Sequence, residues 1–407
     1  MHQTLSETAR PPKAAPAPQR GSSPAVPAAG PRWRPGWTRA AGVALGVYAG
    51  AAALHLFALV LLDKPGGPGL MDRLVAWDGG LYVSIAEDGY PKGFTYGPDG
   101  ELTGNTLAFF PLYPLLVRAV AATTGMGAAT AAVVTAHLCC ASALFAVLRL
   151  MTRLYGSRTA TITVILLAAA QPMAVVFFMG YSEALFLALA AATLLAAHRQ
   201  AWISAGISAL LSGLTRPAAL AVVLAVAVAA VLHMKREARL AARPLIAVAL
   251  ACLGTPVYLL WVGNRLGRLD GWFVVQEAGW GTAWDNGAAT LDFLATAALE
   301  EAGWVPVSTA LLLIALTVAT AMTWQRRQAT WPPLLVYGTA MLVITLGQSN
   351  FYHSKLRLLI PTLLFLVPAA RALARANRRT AITVLTGATL FGCWYGAHMV
   401  TVWRYAI

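Results

Sequence analysis

Long apolar runs separated by short polar intervals dominate the chain after residue 39. They fall at about 40–62, 126–150, 160–178, 181–197, 202–215, 217–233, 244–263, 304–324, 331–346, 356–370 and 381–402. About 20 apolar residues suffice for a helix to cross a bilayer core, so the pattern predicts an all-α polytopic protein with about eleven transmembrane helices. Several runs are shorter than a full span, the one ending at Thr215 most clearly. The segment LAFFPLYPLLVRAV (107–120) is apolar but carries Pro111 and Pro114. Prolines remove amide donors and disfavour a regular lipid-facing helix, which predicts a re-entrant or interfacial piece.

The polar interval after the first run, LVAWDGGLYVSIAEDGYP (74–91), sets an aspartate among apolar positions. As one helix over 72–88, it would put Leu74, Leu81 and Ile85 within about 20° of one another and Asp78 only about 40° away. Asp78 then lies on the apolar face, whereas Asp72 and Glu87 project to the far side. Gly79 and Gly80 weaken that helix by about 2 kcal/mol relative to alanine.

Composition agrees with membrane insertion: 58% of the 407 residues are hydrophobic and 11% charged, with mean hydropathy +0.64, far from soluble globular proteins. The formal net charge of +14 is spread in short clusters between apolar runs, which speaks for membrane orientation and against nucleic acid. Cys139, Cys140, Cys252 and Cys393 lie inside apolar runs and not at metal-ligand spacing. Residues 1–38 are basic, rich in Pro and Ala and without apolar period, which predicts a disordered cytoplasmic tail preceding a membrane domain at 39–407.

Alternating faces from a cytoplasmic N-terminus puts most Lys and Arg inside, including KREARLAAR and RALARANRR, with only Glu7 and Glu237 among the acids. The remaining acids gather outside, in long loops at about 63–106 and 264–303. Candidate chemistry therefore belongs to the extracytoplasmic face. Asp78 is a candidate general base, or an interfacial aspartate that caps a short helix. Asp88 beside Glu87 reads more simply as a solvated loop end and stays a reserve candidate. In GYSEALF, Ser182 and Glu183 suit a helix start, and in GLTRPAAL Pro217 suits a first helical position behind Arg216. SNFYHSKLRLLIP concentrates His353, Lys355 and Arg357 against the positive-inside trend, which points to an anionic ligand. No DxD pair occurs, and no metal or other cofactor is expected.

Taken in order, WDGGLYVSIAEDGY, AFFPLYPLLVR, GYSEALF, GLTRPAAL and SKLRLLIPTLLFLVPAA resemble the PIG-V family of mannosyltransferases, including GPI mannosyltransferase II and its bacterial relatives. The resemblance covers most of the chain after residue 40. It implies a GT-C glycosyltransferase fold with a long first outer loop. It also implies a polyprenyl-phosphate sugar donor, typically mannose, and inverting transfer to a lipid, glycan or protein acceptor without a nucleotide. The family's loop aspartate falls on Asp78, its FPLYP element on 110–114, and its late basic motif on Lys355 and Arg357. Arg216, Lys355 and Arg357 are then the donor-phosphate residues, and Trp77, Tyr82, Asp88, Phe110, Tyr113, Tyr181, Glu183 and His353 the substrate-binding candidates. The sequence departs from the family at Gly80 and Leu81, where relatives often carry a bulkier aromatic, and at Ala218–Ala219, which replace a polar Asn-Gly pair. A lipid-linked glycan carrier or flippase, which holds the same headgroup without breaking it, is the rival class.

Overall fold

Membrane helices here owe their ends to glycine, proline and short polar intervals, and the computed structural model shows where each falls, describing residues 36–300, 303–325, 330–403 and 405–407. The predicted tail lies almost wholly outside these residues. The first half contains α1 (Trp37–Leu62), α2 (Leu70–Leu74), α3 (Asp78–Asp88), a hairpin of β1 (Thr95–Tyr96) and β2 (Leu102–Thr103), α4 (Leu112–Thr124), α5 (Ala128–Tyr155), α6 (Ser157–Ile165), α7 (Glu183–His198) and α8 (Trp202–Gly213). Then come α9 (Leu220–Glu237), α10 (Ala242–Ala251), α11 (Gly254–Leu266), α12 (Gly271–Trp280), β3 (Ala283–Trp284), α13 (Ala288–Leu299), α14 (Trp304–Thr323), α15 (Pro332–Leu346), β4 (Gln348–Ser349), α16 (Tyr352–Leu359), α17 (Leu366–Arg375) and α18 (Arg378–Thr401).

Among the described residues five helical stretches are long and apolar enough to cross a membrane: Trp37–Leu62, Ala128–Tyr155, Pro217–Glu237, Ala242–Leu266 and Trp304–Thr323. Shorter apolar helices complete a multi-pass bundle in which α5 packs on α1, α4, α6 and α7. Where α8 meets α11, Gly213 and Gly254 bring the two backbones together so closely that a Cβ on Gly213 would lie 2.8 Å from Thr255 N. Small residues at such crossings allow the close approach that drives helix association in lipid.

Four segments depart from the expected pattern. The helix foreseen over 72–88 is broken, because Trp77 adopts φ 53°, ψ −117°, a left-handed backbone unusual for a bulky residue. Gly180 N donates to Leu74 O at 2.7 Å and Tyr181 Oη donates to Ala76 O at 2.9 Å, which pins this strained turn and starts α3 at Asp78. The proline-bearing piece forms a regular helix, α4, since Pro111 precedes it and Pro114 sits in its first turn, where an amide would have no intrahelical acceptor. It remains too short to span.

The run 160–178 leaves α6 through a π-helical turn (Leu166–Ala170) and ends in a 3₁₀ turn. The run 356–370 divides between α16 and α17. Irregular backbone at this depth needs internal partners: Gln171 Nε2 reaches Ile360 O at 3.4 Å, and Tyr337 Oη donates to Pro361 O at 2.9 Å.

The two long loops predicted on one face do come together. Helix α12 packs on β2 and on the 3₁₀ turn Thr106–Ala108, and β3 pairs with β4. The 264–303 interval is therefore helical over most of its length. At the opposite end, Arg158 donates to Ala376 O at 2.8 Å and links two of the predicted inner loops.

Candidate active site

Beneath the joined loops lies a cavity of about 430 Å³. Its floor is a network of four charges drawn from four places in the chain. Asp78 opens α3, Glu183 opens α7, Arg216 ends the extended link before Pro217, and Arg357 lies on α16. Arg357 Nη1 is 2.5 Å from Asp78 Oδ2, and its Nε is 3.6 Å from Glu183 Oε1. Arg216 Nη1 stands 2.7 Å from the same Glu183 oxygen. The guanidinium of Arg357 also lies 5.2 Å from the centre of the Tyr181 ring. Two carboxylates and two guanidiniums balance in formal charge.

The balance in hydrogen bonds is incomplete. Glu183 Oε2, Arg216 Nη1 and Arg357 Nε are buried without a hydrogen-bond partner; the Arg216–Glu183 contact is thus an ion pair by distance whose angle makes no hydrogen bond. Buried polar groups left open in this way are costly. Here they all border one cavity, which marks it as a place where a polar ligand can complete them. Glu183 gains from the first-turn amides of α7. Ser182 occupies the N-cap position yet makes no cap; its hydroxyl shares a 2.8 Å hydrogen bond with Tyr82 Oη instead.

The cavity brings together Asp78, Tyr82, Phe110, Tyr181, Glu183, Arg216 and Arg357. Five other candidates lie away from it. Tyr113 is buried behind Tyr82, rings 5.0 Å apart, with its hydroxyl on Ala132 O. Trp77 shapes the turn before Asp78, and Asp88 is exposed at the far end of α3. His353 stacks on Phe351 at 5.4 Å.

Lys355 is 1% exposed, and its ammonium donates to Thr345 O at 3.2 Å and Gln348 O at 2.7 Å. It fastens the end of α15 to β4, while Arg357, two residues on, turns into the cavity. Near it, the loop carboxylate of Asp285 accepts from Ala289 N and Gly287 N, which hold it below the usual carboxylate range despite some desolvation. Among the described residues no three His, Cys, Asp or Glu side chains gather as a metal site.

Sequence reasoning missed a second wall. Trp272, Gln276, Trp280 and Trp284 come from the second loop, Gln348 and Asn350 from the approach to α16, and Ser354 from its first turn. The signal available was three tryptophans within 272–284 and the polar GQSN between apolar runs.

The fold matches that of ArnT from Cupriavidus metallidurans bound to undecaprenyl phosphate, with TM-score 0.51 and 16% identity over 84% of this chain and 62% of that one. The archaeal oligosaccharyltransferase AglB from Archaeoglobus fulgidus, in complex with an inhibitory peptide and a dolichol-phosphate, matches with TM-score 0.45 and 14% identity over 88% of this chain and 56% of that one. The chain thus spans less than two thirds of the length of either. No protein-family model and no curated protein matches it.

Proposed function

We propose that the protein is an inverting membrane glycosyltransferase that takes a sugar, mannose in the first instance, from a polyprenyl-phosphate donor at the extracytoplasmic face. The observation that carries this reading is the Asp78–Arg357–Glu183–Arg216 network, with three unpartnered polar atoms, at the floor of a cavity that has one apolar flank. The donor's phosphate is a fit for two guanidiniums, since a planar fork can hold two oxygens at once and stays charged in a dry site. Leu220, Met341, Ile344 and Leu358 offer the hydrocarbon chain its flank.

In the resting site Arg357 Nη1 donates to Asp78 Oδ2, so that carboxylate oxygen is occupied. The phosphate competes for the same guanidinium and frees Asp78. Asp78 then accepts the proton of the acceptor hydroxyl as that oxygen forms a bond to C1 of the sugar. The C1–O bond to phosphate breaks on the opposite face, its electron pair stays on the phosphate, and Arg216 and Arg357 stabilise the new charge. Configuration at C1 inverts.

The test is turnover by the purified full-length protein with radiolabelled polyprenyl-phosphate mannose and a membrane extract as acceptor source. A labelled product that disappears in Asp78→Asn is the expected result. Translocation of the donor across vesicles with no product would overturn the reading in favour of a carrier.

A further inference from the structure

The mouth of the cavity rests on a pair of short strands, distant in sequence, that the ion-pair network does not use. Strands β3 and β4 pair antiparallel, Ala283 opposite Ser349 and Trp284 opposite Gln348. Two-residue strands hold poorly by themselves, but this pair is tied from several sides. Thr290 Oγ1 donates to Leu346 O at 2.7 Å, Asp285 N to Gly347 O at 3.1 Å, and Lys355 Nζ to Gln348 O at 2.7 Å. Three successive carbonyls are thereby fixed. Ser349 Oγ accepts from Ala283 N at 3.0 Å and donates to Gly281 O at 2.9 Å.

Trp284 stands on this rigid rim. Its indole N–H donates to Asn286 Oδ1 at 2.9 Å. Its six-membered ring rests against Gly347, where a Cβ would come within 2.5 Å of Cη2 and 2.7 Å of Cζ3. The residue nevertheless stays 56% exposed and lines the cavity. An indole held at its N–H and along one side, with the rest open to a cavity, is a preorganised stacking surface. Beside it lie Gln348, its cross-strand partner, and Asn350, whose Oδ1 is buried without a hydrogen-bond partner. A pyranose has the complementary chemistry: a flat array of C–H groups for the ring, and hydroxyls that donate to and accept from amide side chains. A serine or threonine on a peptide offers no such flat face.

We propose that Trp284, Gln348 and Asn350 form a pyranose-binding subsite at the cavity mouth. This deepens the proposed function and rests on its reading of the arginine floor as the phosphate site. Either the acceptor's sugar or the donor's own sugar supplies the same chemistry.

The test is saturation-transfer NMR on the full-length protein in lipid nanodiscs, with mannobiose as probe and a Ser/Thr-containing hexapeptide as control. Mannobiose is expected to receive saturation at its ring C–H protons, with affinity retained in Trp284→Phe and Arg357→Lys and reduced about tenfold in Trp284→Ala. Retention of mannobiose binding in the presence of a farnesyl-phosphate sugar assigns the subsite to the acceptor, and competition by a farnesyl-phosphate sugar but not by farnesyl phosphate assigns it to the donor's sugar. Absence of mannobiose binding, a Trp284→Ala response equal to wild type, or binding of the hexapeptide alone overturns the proposal. Farnesyl phosphate binding, measured on the same samples, separates the two claims: its absence beside intact mannobiose binding sinks the donor reading only, and the reverse pattern sinks the subsite only. Trp284→Phe, matched to wild type in thermal melting, controls for folding.

Discussion

Arg357 and Asp78 are joined by a 2.5 Å contact across 279 residues of chain. The pair ties the start of α3 to the late basic motif SKLR, and it places the proposed base under the control of the group that would bind the leaving phosphate.

Asp78→Asn keeps the shape and a hydrogen-bond acceptor for Arg357 but removes the base. Transfer to acceptor should fall about 10²- to 10⁴-fold, with detergent melting close to wild type because Glu183 still faces both arginines. A radiolabel transfer assay beside a melting curve checks both halves. Near-normal turnover would move the base to another residue.

Lys355 and Arg357 should fail in different ways. Arg357→Lys replaces a fork by a point charge, so a donor concentration series should show a raised KM, and a lowered kcat as well if the contact tightens on the leaving phosphate. Lys355→Met instead leaves the carbonyls of Thr345 and Gln348 without their donor. It should cost about 1.5–3 kcal/mol of stability, visible as a lower melting temperature with donor KM little changed. If Lys355→Met raises donor KM at unchanged stability, Lys355 belongs to the phosphate site after all.

The positions of these two residues also show what was legible in advance. Residues two apart on a helix diverge by about 200°, so SKLRLL holds a signal that separates Lys355 from Arg357, although the resemblance groups both at the donor phosphate. The apolar runs likewise fix most helices, because lipid demands their length. Contacts between distant segments carry no such local mark. Nothing in WDGG announces Arg357, and two-residue strands such as Ala283–Trp284 and Gln348–Ser349 are too short to leave a period. Trp77 misleads for a related reason: its positive φ is imposed by Gly180 and Tyr181, about a hundred residues away along the chain.

Glu183→Gln withdraws the only carboxylate that faces both guanidiniums among the described residues. Breaking a buried pair by removing one partner costs about 3–5 kcal/mol, so melting should drop sharply. The double variant Glu183→Gln/Arg216→Leu should recover part of that loss, since one stranded cation goes with it. Strict additivity of the two single effects would show that the groups are not coupled.

Orientation is testable without activity. In a background with the four native cysteines replaced, Asp99→Cys should react with an impermeant thiol reagent added to intact cells, and Arg236→Cys only after permeabilisation. Both positions are exposed. Labelling of position 236 from outside would invert the arrangement and place the cavity on the cytoplasmic side.

The formal neutrality of the four-charge floor bears on how a cycle would end. Once the sugar has moved, the lipid phosphate carries one more negative charge and grips the arginines harder than the donor did. A site built of arginines alone would retain it. On the proposed mechanism Asp78, after passing on its proton, would regain its own charge and its own claim on Arg357, with Glu183 facing Arg216 throughout. On the same mechanism the carboxylate that starts the reaction would also be the rival that evicts its product, and turnover at high lipid-phosphate concentration would depend on which of the two wins.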